Sequence, residues 1–325
     1  MMTIKVALFN TKTYDRNYFE KTNDPLLMQI TFFTEALNEK TVFLAKGFDV
    51  VCCFVNDQLN KEVLSELKKL GIRLVAMRCA GYNNVDMEAA KERGLAVVRV
   101  PAYSPYAVAE HAVALILDLN RKLYRAYNRV REENFSLEGL MGFDLHNKTV
   151  GVIGTGKIGS VFAKIMSSGF ACRVLAYDIV KNAACESMGV NYVELDELLE
   201  QSDIISLHCP LTPKTLHIIN EDSIKKMKSG VMLINTGRGG LIDTKSVICA
   251  LKMKKIGYLG LDVYEEEGPL FFQDLSEYIL QDDVFARLLT FPNVVITGHQ
   301  AFFTHEAMTN IVNVTLKNIT QFFKL

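Results

Sequence analysis

Three short stretches, far apart in the chain, carry residue types that together suit a redox reaction. They are Gly154-Thr155-Gly156-Lys157-Ile158-Gly159, Asn235-Thr236-Gly237-Arg238-Gly239 and Gly298-His299-Gln300. The first is a Gly-x-Gly-x-x-Gly that follows an apolar strand-like run and opens an apolar helical one. In that setting Gly154 permits the tight turn, Gly156 lets the backbone approach a pyrophosphate, and Gly159 allows close helix–strand packing. The phosphates then meet free amides and the dipole at a helix N-terminus. The second stretch supplies a fixed cation, and a guanidinium matches a carboxylate bidentately. Each hydrogen bond to a charged group is worth roughly 1.5–3 kcal/mol, so two suffice for a hundredfold in affinity. The third supplies an imidazole. A pyrophosphate cradle, an Arg and a His are what hydride transfer to a 2-oxo acid requires.

Neighbouring residues sharpen this reading. Asp178 ends the next strand-like run, about 20 residues beyond the last glycine, where a carboxylate accepts hydrogen bonds from the adenosine ribose. It repels the extra phosphate of NADP, and Ile179-Val180 offers no Arg to hold one. Lys181 softens that preference without reversing it, so NAD is the expected cofactor. Arg238 follows a strand at its carboxyl end, where ligands bind in open α/β sheets. The flanking Gly237 and Gly239 are expected to let the backbone take an unusual turn. A carboxylate near His299 would raise its pKa, one unit being worth about 1.4 kcal/mol. Glu265, Glu266 and Glu267 are all candidates, and spacing does not choose among them. Asp262, at a strand end, suits a contact with the nicotinamide ribose. His208-Cys209-Pro210-Leu211 ends another strand and is expected to line the cofactor groove. The remaining histidines, at 111, 146, 217 and 305, have no comparable context, and the phenylalanines at 271, 272, 302 and 303 read as core.

Positioning these groups requires alternating strands and helices. Residues 5–9, 50–55, 74–79 and 96–100 read as strands, with helices at 59–70 and 85–93. After Pro101, Ser104 suits an N-cap and Pro105 the first helical position, and one long helix is expected to about residue 133. Its length suggests contact with a second subunit. Beyond it come strands at 148–153, 173–177, 204–208, 231–235, 257–261 and 294–297, and a final helix at 305–323. Strands separated by helices imply parallel sheets covered on both faces. The expected plan is α/β, with two domains, the second inserted in the first and the crossings near Pro101 and His299. A small-ligand site is expected in the cleft between domains.

The bulk properties exclude other classes. With 36 basic and 37 acidic residues the formal net charge is −1, which gives no electrostatic case for nucleic acid or an anionic membrane. No apolar run approaches the ~20 residues needed to cross a bilayer. The start reads as a strand, not as a signal peptide. Seven cysteines without a Cys-x-x-Cys spacing argue against a disulfide framework or a metal site. A cytoplasmic location is expected.

Taken with Arg78-Cys79-Ala80-Gly81-Tyr82-Asn83-Asn84-Val85-Asp86, Pro101-Ala102-Tyr103-Ser104-Pro105, Ala109-Glu110-His111, Asp262-Val263-Tyr264-Glu265-Glu266-Glu267 and His299-Gln300-Ala301-Phe302, these motifs carry a resemblance over nearly the whole chain. The chain resembles the D-isomer-specific 2-hydroxyacid dehydrogenases, its fermentative, D-lactate-forming members above all. The resemblance implies two Rossmann/flavodoxin-like doubly wound domains. Residues 102–299 would bind NAD, and residues 1–101 with 300–325 would bind substrate. It implies that Arg238 holds the substrate carboxylate, that His299 is the acid–base, and that Glu267 is its partner. Substrate contacts would come from Arg78, the amides of Ala80 and Gly81, and Tyr103. Cofactor contacts would come from Gly154, Gly156, Lys157, Ile158, Gly159, Asp178, Cys209, Pro210, Thr215, Thr236, Gly237, Arg238 and Asp262. Two departures stand out: Gly237, where many relatives have Ser or Ala, and Gln300, where Thr or Ala is common. The implied activity is reversible reduction of pyruvate to D-lactate by a homodimer, with domain closure expelling water. The alternatives are a bulkier 2-oxo acid as substrate, or an NAD-sensing corepressor-like protein.

Overall fold

Two all-parallel sheets form in the computed structural model, which describes residues 3–324. The chain divides into Met1–Ser104 with Phe303–Leu325, and Pro105–Phe302. Each crossing lies three residues beyond the position read from sequence, because Pro105 already opens a helix whose buried face belongs to the second unit.

The first unit contains β1 (Ile4–Leu8), α1 (Thr13–Thr22), β2 (Met28–Phe32), β3 (Val50–Cys53), α2 (Lys61–Lys69), β4 (Leu74–Met77), α3 (Met87–Glu92) and β5 (Ala96–Arg99). Its strands run in the order β2-β1-β3-β4-β5, a doubly wound arrangement. Alternation along one strand shows why its composition is wholly apolar. Val51 and Cys53 pack with Val63, Leu64 and Leu67 of α2, while Val50 and Cys52 pack on the other face beside Phe19 of α1. A strand covered on both faces has no polar side to show. α1 and β2 carry no such pattern and were not legible: of the ten residues of α1, only Asp15 and Phe19 are buried.

The second unit contains α4 (Pro105–Arg121), α5 (Leu123–Arg131), β6 (Thr149–Ile153), α6 (Lys157–Lys164), β7 (Arg173–Tyr177), α7 (Ala183–Ser187), β8 (Asn191–Tyr192), α8 (Leu195–Gln201), β9 (Ile204–Leu207), α9 (Glu221–Lys226), β10 (Val231–Asn235), α10 (Thr244–Lys252), β11 (Ile256–Leu261), α11 (Asp283–Leu289) and β12 (Val294–Ile296). The strand order is β12-β11-β10-β9-β6-β7-β8, so the winding reverses between β6 and β9. Ala109, Ala112, Ile116 and Leu119 of α4 and Phe162 of α6 cover one face, and Leu198 of α8 with Val247 and Leu251 of α10 cover the other. α12 (His305–Phe323) returns to the first unit, where Val312, Leu316 and Ile319 complete a core with β1, β3 and β4.

The single long helix expected after Pro101 is two helices. Lys122 adopts a left-handed conformation (φ 51°) between them, and the Asp118 carboxylate accepts the Tyr124 amide at 3.0 Å. Asn120 anchors the break by exchanging two hydrogen bonds with the Phe143 backbone, at 2.7 and 2.8 Å. Such side chain–backbone bonds offer an alternative to the helical ladder.

Candidate active site

Every chemistry-bearing motif of the second unit emerges at the carboxyl end of one of its strands. In sheet order they are Asp178 after β7, the glycine loop after β6, Cys209 after β9, Arg238 after β10, Asp262 after β11 and His299 after β12. Neighbouring strands lie ~4.8 Å apart, so the groups form a row, with the ribose-type carboxylate at one end and the imidazole at the other.

The three glycines after β6 have three different reasons to lack a side chain. Gly154 has φ +94°, and a Cβ there would meet the Cys209 amide nitrogen at 2.5 Å. At Gly159 a Cβ would overlap the Gly154 carbonyl oxygen. A Cβ on Gly156 would meet nothing within 4 Å, so this glycine faces open space. α6 begins directly after it with no side-chain cap, which leaves its first amides unclaimed by any side chain. Lys157 and Ile158 are its first two residues. Asp178 holds the loop, accepting the Thr155 amide at 2.6 Å and the Thr155 hydroxyl at 3.1 Å. From β9, Ser206 bonds the His208 ring at 2.9 Å, and loss of water around that ring drives its pKa down to about 3, so the imidazole stays neutral. Thr215 donates to the Pro210 carbonyl at 2.6 Å and so shapes the turn that presents Cys209 and Pro210. The Thr236 hydroxyl is buried with no hydrogen-bond partner. An open glycine, an uncapped helix start and an unclaimed buried hydroxyl fit a dinucleotide, which would supply the missing partners.

Arg238 sits in a braced turn. Asn235, fully buried, accepts the Gly237 amide at 3.0 Å and donates to the Arg238 carbonyl at 2.9 Å. The guanidinium also donates to the Gly237 carbonyl at 2.7 Å. Neither flanking glycine has a positive φ, so the expected unusual turn is absent. What Gly239 supplies is room: a Cβ there would overlap the Tyr264 carbonyl group. Gly237 is merely snug, with a Cβ 3.3 Å from Leu241, so a small side chain would fit there with a slight shift.

His299 has φ +54°, a left-handed conformation costing an L-residue roughly 1–2 kcal/mol. Its Nδ1 lies 2.8 Å from Glu267 Oε1, and Glu267 Oε2 accepts the Tyr264 amide at 3.1 Å. A carboxylate only accepts, so Nδ1 carries the proton and Nε2 is left for other chemistry. The Phe272 ring lies 5.5 Å from the imidazole, centre to centre. Glu265, which spacing left equivalent to Glu267, is engaged elsewhere: it bonds His217 at 2.5 Å and the Thr244 hydroxyl at 2.8 Å. Asp262 is 0% exposed, and its oxygens accept the Gln300 amide (2.9 Å), the Ala301 amide (2.8 Å) and the Thr297 hydroxyl (2.6 Å). Its backbone carbonyl accepts the His299 amide at 2.8 Å. Asp262 therefore shapes the turn that carries the imidazole.

In the first unit, the Arg78 side chain is 2% exposed, paired with Asp15 at 3.5 Å, donating to the Asn10 carbonyl at 2.9 Å and lying over the Phe54 ring, while its Nε and Nη1 find no hydrogen-bond partner among the described residues. The Ala80 and Gly81 amides donate to no carbonyl among the described residues. The Tyr103 carbonyl accepts from Asn310 at 2.7 Å, which ties it to α12.

Residues 113–301 match the model for "D-isomer specific 2-hydroxyacid dehydrogenase, NAD binding domain". The chain is 53% identical to the D-lactate dehydrogenase of Escherichia coli, over 99% of this chain and 97% of that one. It superposes on the pyruvate reductase of Chlamydomonas reinhardtii with a TM-score of 0.92 at 48% identity, covering 98% and 96% of the two chains. It superposes on the D-lactate dehydrogenase of Aquifex aeolicus, complexed with NAD and lactic acid, with a TM-score of 0.87 at 36% identity, covering 98% and 95%.

Proposed function

Because this chain belongs to the D-isomer-specific 2-hydroxyacid dehydrogenases, and is therefore an NAD-dependent oxidoreductase, we propose that it is a cytoplasmic D-lactate dehydrogenase that interconverts pyruvate and D-lactate. The observation that carries the proposal is the His299–Glu267 pair at 2.8 Å, on the same sheet edge as Arg238 and the glycine loop. The NAD would be held by the amides around Gly156, Lys157 and Ile158, with Asp178, Cys209, Pro210, Thr215 and Thr236 beside it. When bound as NADH it supplies the hydride. Arg238 holds the carboxylate of the 2-oxo acid bidentately, with the Ala80 and Gly81 amides and Tyr103 as further substrate contacts. As the keto carbon gains the hydride, the carbonyl π pair moves to oxygen, and His299 Nε2 gives that oxygen its proton. Glu267 keeps the Nδ1 proton in place and stabilises the imidazolium that precedes transfer. In the reverse direction the same nitrogen takes the hydroxyl proton.

The working form is a homodimer in which a second copy covers α5, a helix with no buried residue in the single chain.

The choice of 2-oxo acid is tested by NADH oxidation with pyruvate and with phenylpyruvate. A kcat/KM for pyruvate at least about tenfold the higher is expected, a difference of about 1.4 kcal/mol in transition-state binding. The reverse order would assign the enzyme to a bulkier substrate.

A further inference from the structure

We propose that His111, on α4, is a positioning residue for the catalytic turn and acts through Thr297 and Asp262; this rests on His299 being the acid–base of the reaction above. His111 lies one turn from two buried apolar residues of α4, Val108 and Leu115, on a face otherwise given over to core. Its Nε2 is 3.0 Å from the Thr297 hydroxyl and 3.4 Å from Asp262 Oδ1. The direction of these bonds follows from counting protons. Thr297 has one hydroxyl proton, and its closest acceptor is Asp262 Oδ1 at 2.6 Å; the Leu261 carbonyl is at 3.5 Å. The Thr297 oxygen must then accept from His111, so Nε2 is the protonated ring nitrogen. The chain of bonds runs from His111 through Thr297 to a fully buried carboxylate.

That carboxylate gathers the backbone of the catalytic turn. Three successive amides end on Asp262: His299 on its carbonyl at 2.8 Å, Gln300 on Oδ1 at 2.9 Å and Ala301 on Oδ2 at 2.8 Å. They hold His299 in a conformation that an L-residue rarely adopts, with φ +54°. His111 is the only cation-forming side chain paired with Asp262 among the described residues. The catalytic histidine is thus served by two His–carboxylate pairs. Glu267 sets its ring, and His111 with Asp262 sets its main chain.

The test is steady-state kinetics of His111→Leu, His111→Gln, Thr297→Val and the double variant His111→Leu/Thr297→Val, with NADH affinity measured by fluorescence. A turn misplaced by a fraction of an ångström should lower kcat on the order of tenfold in His111→Leu and in Thr297→Val. KM for the 2-oxo acid and NADH affinity stay within about twofold, because Arg238 and the glycine loop are untouched. The double variant is no worse than either single one, since both cut the same chain of bonds. His111→Gln, which keeps a donor near the Nε2 position, recovers most of the rate. Wild-type kcat in His111→Leu, multiplied losses in the double variant, or a glutamine no better than leucine would each overturn the assignment. If His111→Leu fails to fold, Thr297→Val decides, and wild-type kcat there overturns it as well. The ratio of variant to wild type is read on whichever 2-oxo acid the wild type prefers, so a wild type inactive with pyruvate refutes the D-lactate reading and leaves this measurement intact.

Discussion

At the level of single residues, the site works by leaving one nitrogen unspoken for. Glu267 occupies Nδ1 of His299 at 2.8 Å, and no residue among those described bonds Nε2. Replacing His299 with Gln removes the exchangeable proton while keeping a polar side chain in a similar volume. We expect kcat to drop by a factor on the order of 10²–10⁴, with NADH affinity, followed by fluorescence titration, unchanged. Turnover near that of the wild type would remove His299 from the chemistry. Much of this was legible beforehand. The glycines, Asp178, Arg238 and His299 announce themselves because each ends a strand and carries the right functional group. The choice among Glu265, Glu266 and Glu267 was not legible by spacing, since it depends on which one folds back onto the Tyr264 amide. The inward turns of Asp262 and Arg78 were also hidden, because a charged side chain gives no sequence signal of its burial. Nor could spacing show that His111 lies beside Thr297, 186 positions away.

Among the elements, strands buried on both faces were the easiest to find, and elements with mixed composition the hardest. β3 and the first four residues of β10 are uninterrupted apolar runs, whereas α1 and β2 mix polar with apolar residues, and these two and the seven-residue α11 went unread. α5 was read as part of a longer helix because its apolar residues continue the pattern of α4. In the structure those residues point outward: Leu123 is 55% exposed, Tyr127 63% and Val130 55%, with Phe135, Leu137 and Met141 exposed just beyond. Leu123, Tyr127 and Val130 recur at the spacing of one helix face, the kind of exposed apolar face on which a second copy is proposed to pack. Sedimentation of the wild type at micromolar concentration should therefore give a dimer. Substituting Asp at Tyr127 and Val130 should yield a monomer whose circular dichroism is unaltered. A monomeric wild type, or a double variant that still pairs, would show that α5 is not the contact.

For the molecule as a whole, stability should carry a pH signature from the first unit. Asp57 is buried in the turn after β3, where its oxygens accept the Leu37 amide at 2.7 Å and the Phe54 amide at 2.6 Å. Burial pushes its carboxyl up to about 6, against the pull of Arg78 and the two amides. Since this folded value exceeds the unfolded one of about 3.9, the folded chain keeps a proton that the unfolded chain has lost. The group's stabilising contribution is full below about pH 4 and disappears as pH rises through about 6. A rise of about two pH units corresponds to roughly 3 kcal/mol. Denaturant unfolding of the wild type and Asp57→Asn should show the wild type's relative stability declining by that order between pH 4 and 7.5. A constant difference across that range would mean that Asp57 does not titrate there.

The excursion of the chain through its second sheet also has a consequence for biosynthesis. β1, β3 and β4 need Val312, Leu316 and Ile319 to cover one side, yet α12 is translated about two hundred codons after β5. At ~5–20 residues per second a ribosome leaves that oily surface bare for about 10–40 s. Throughout this interval the first sheet shows an uncovered apolar face, the condition under which nascent chains are prone to aggregate.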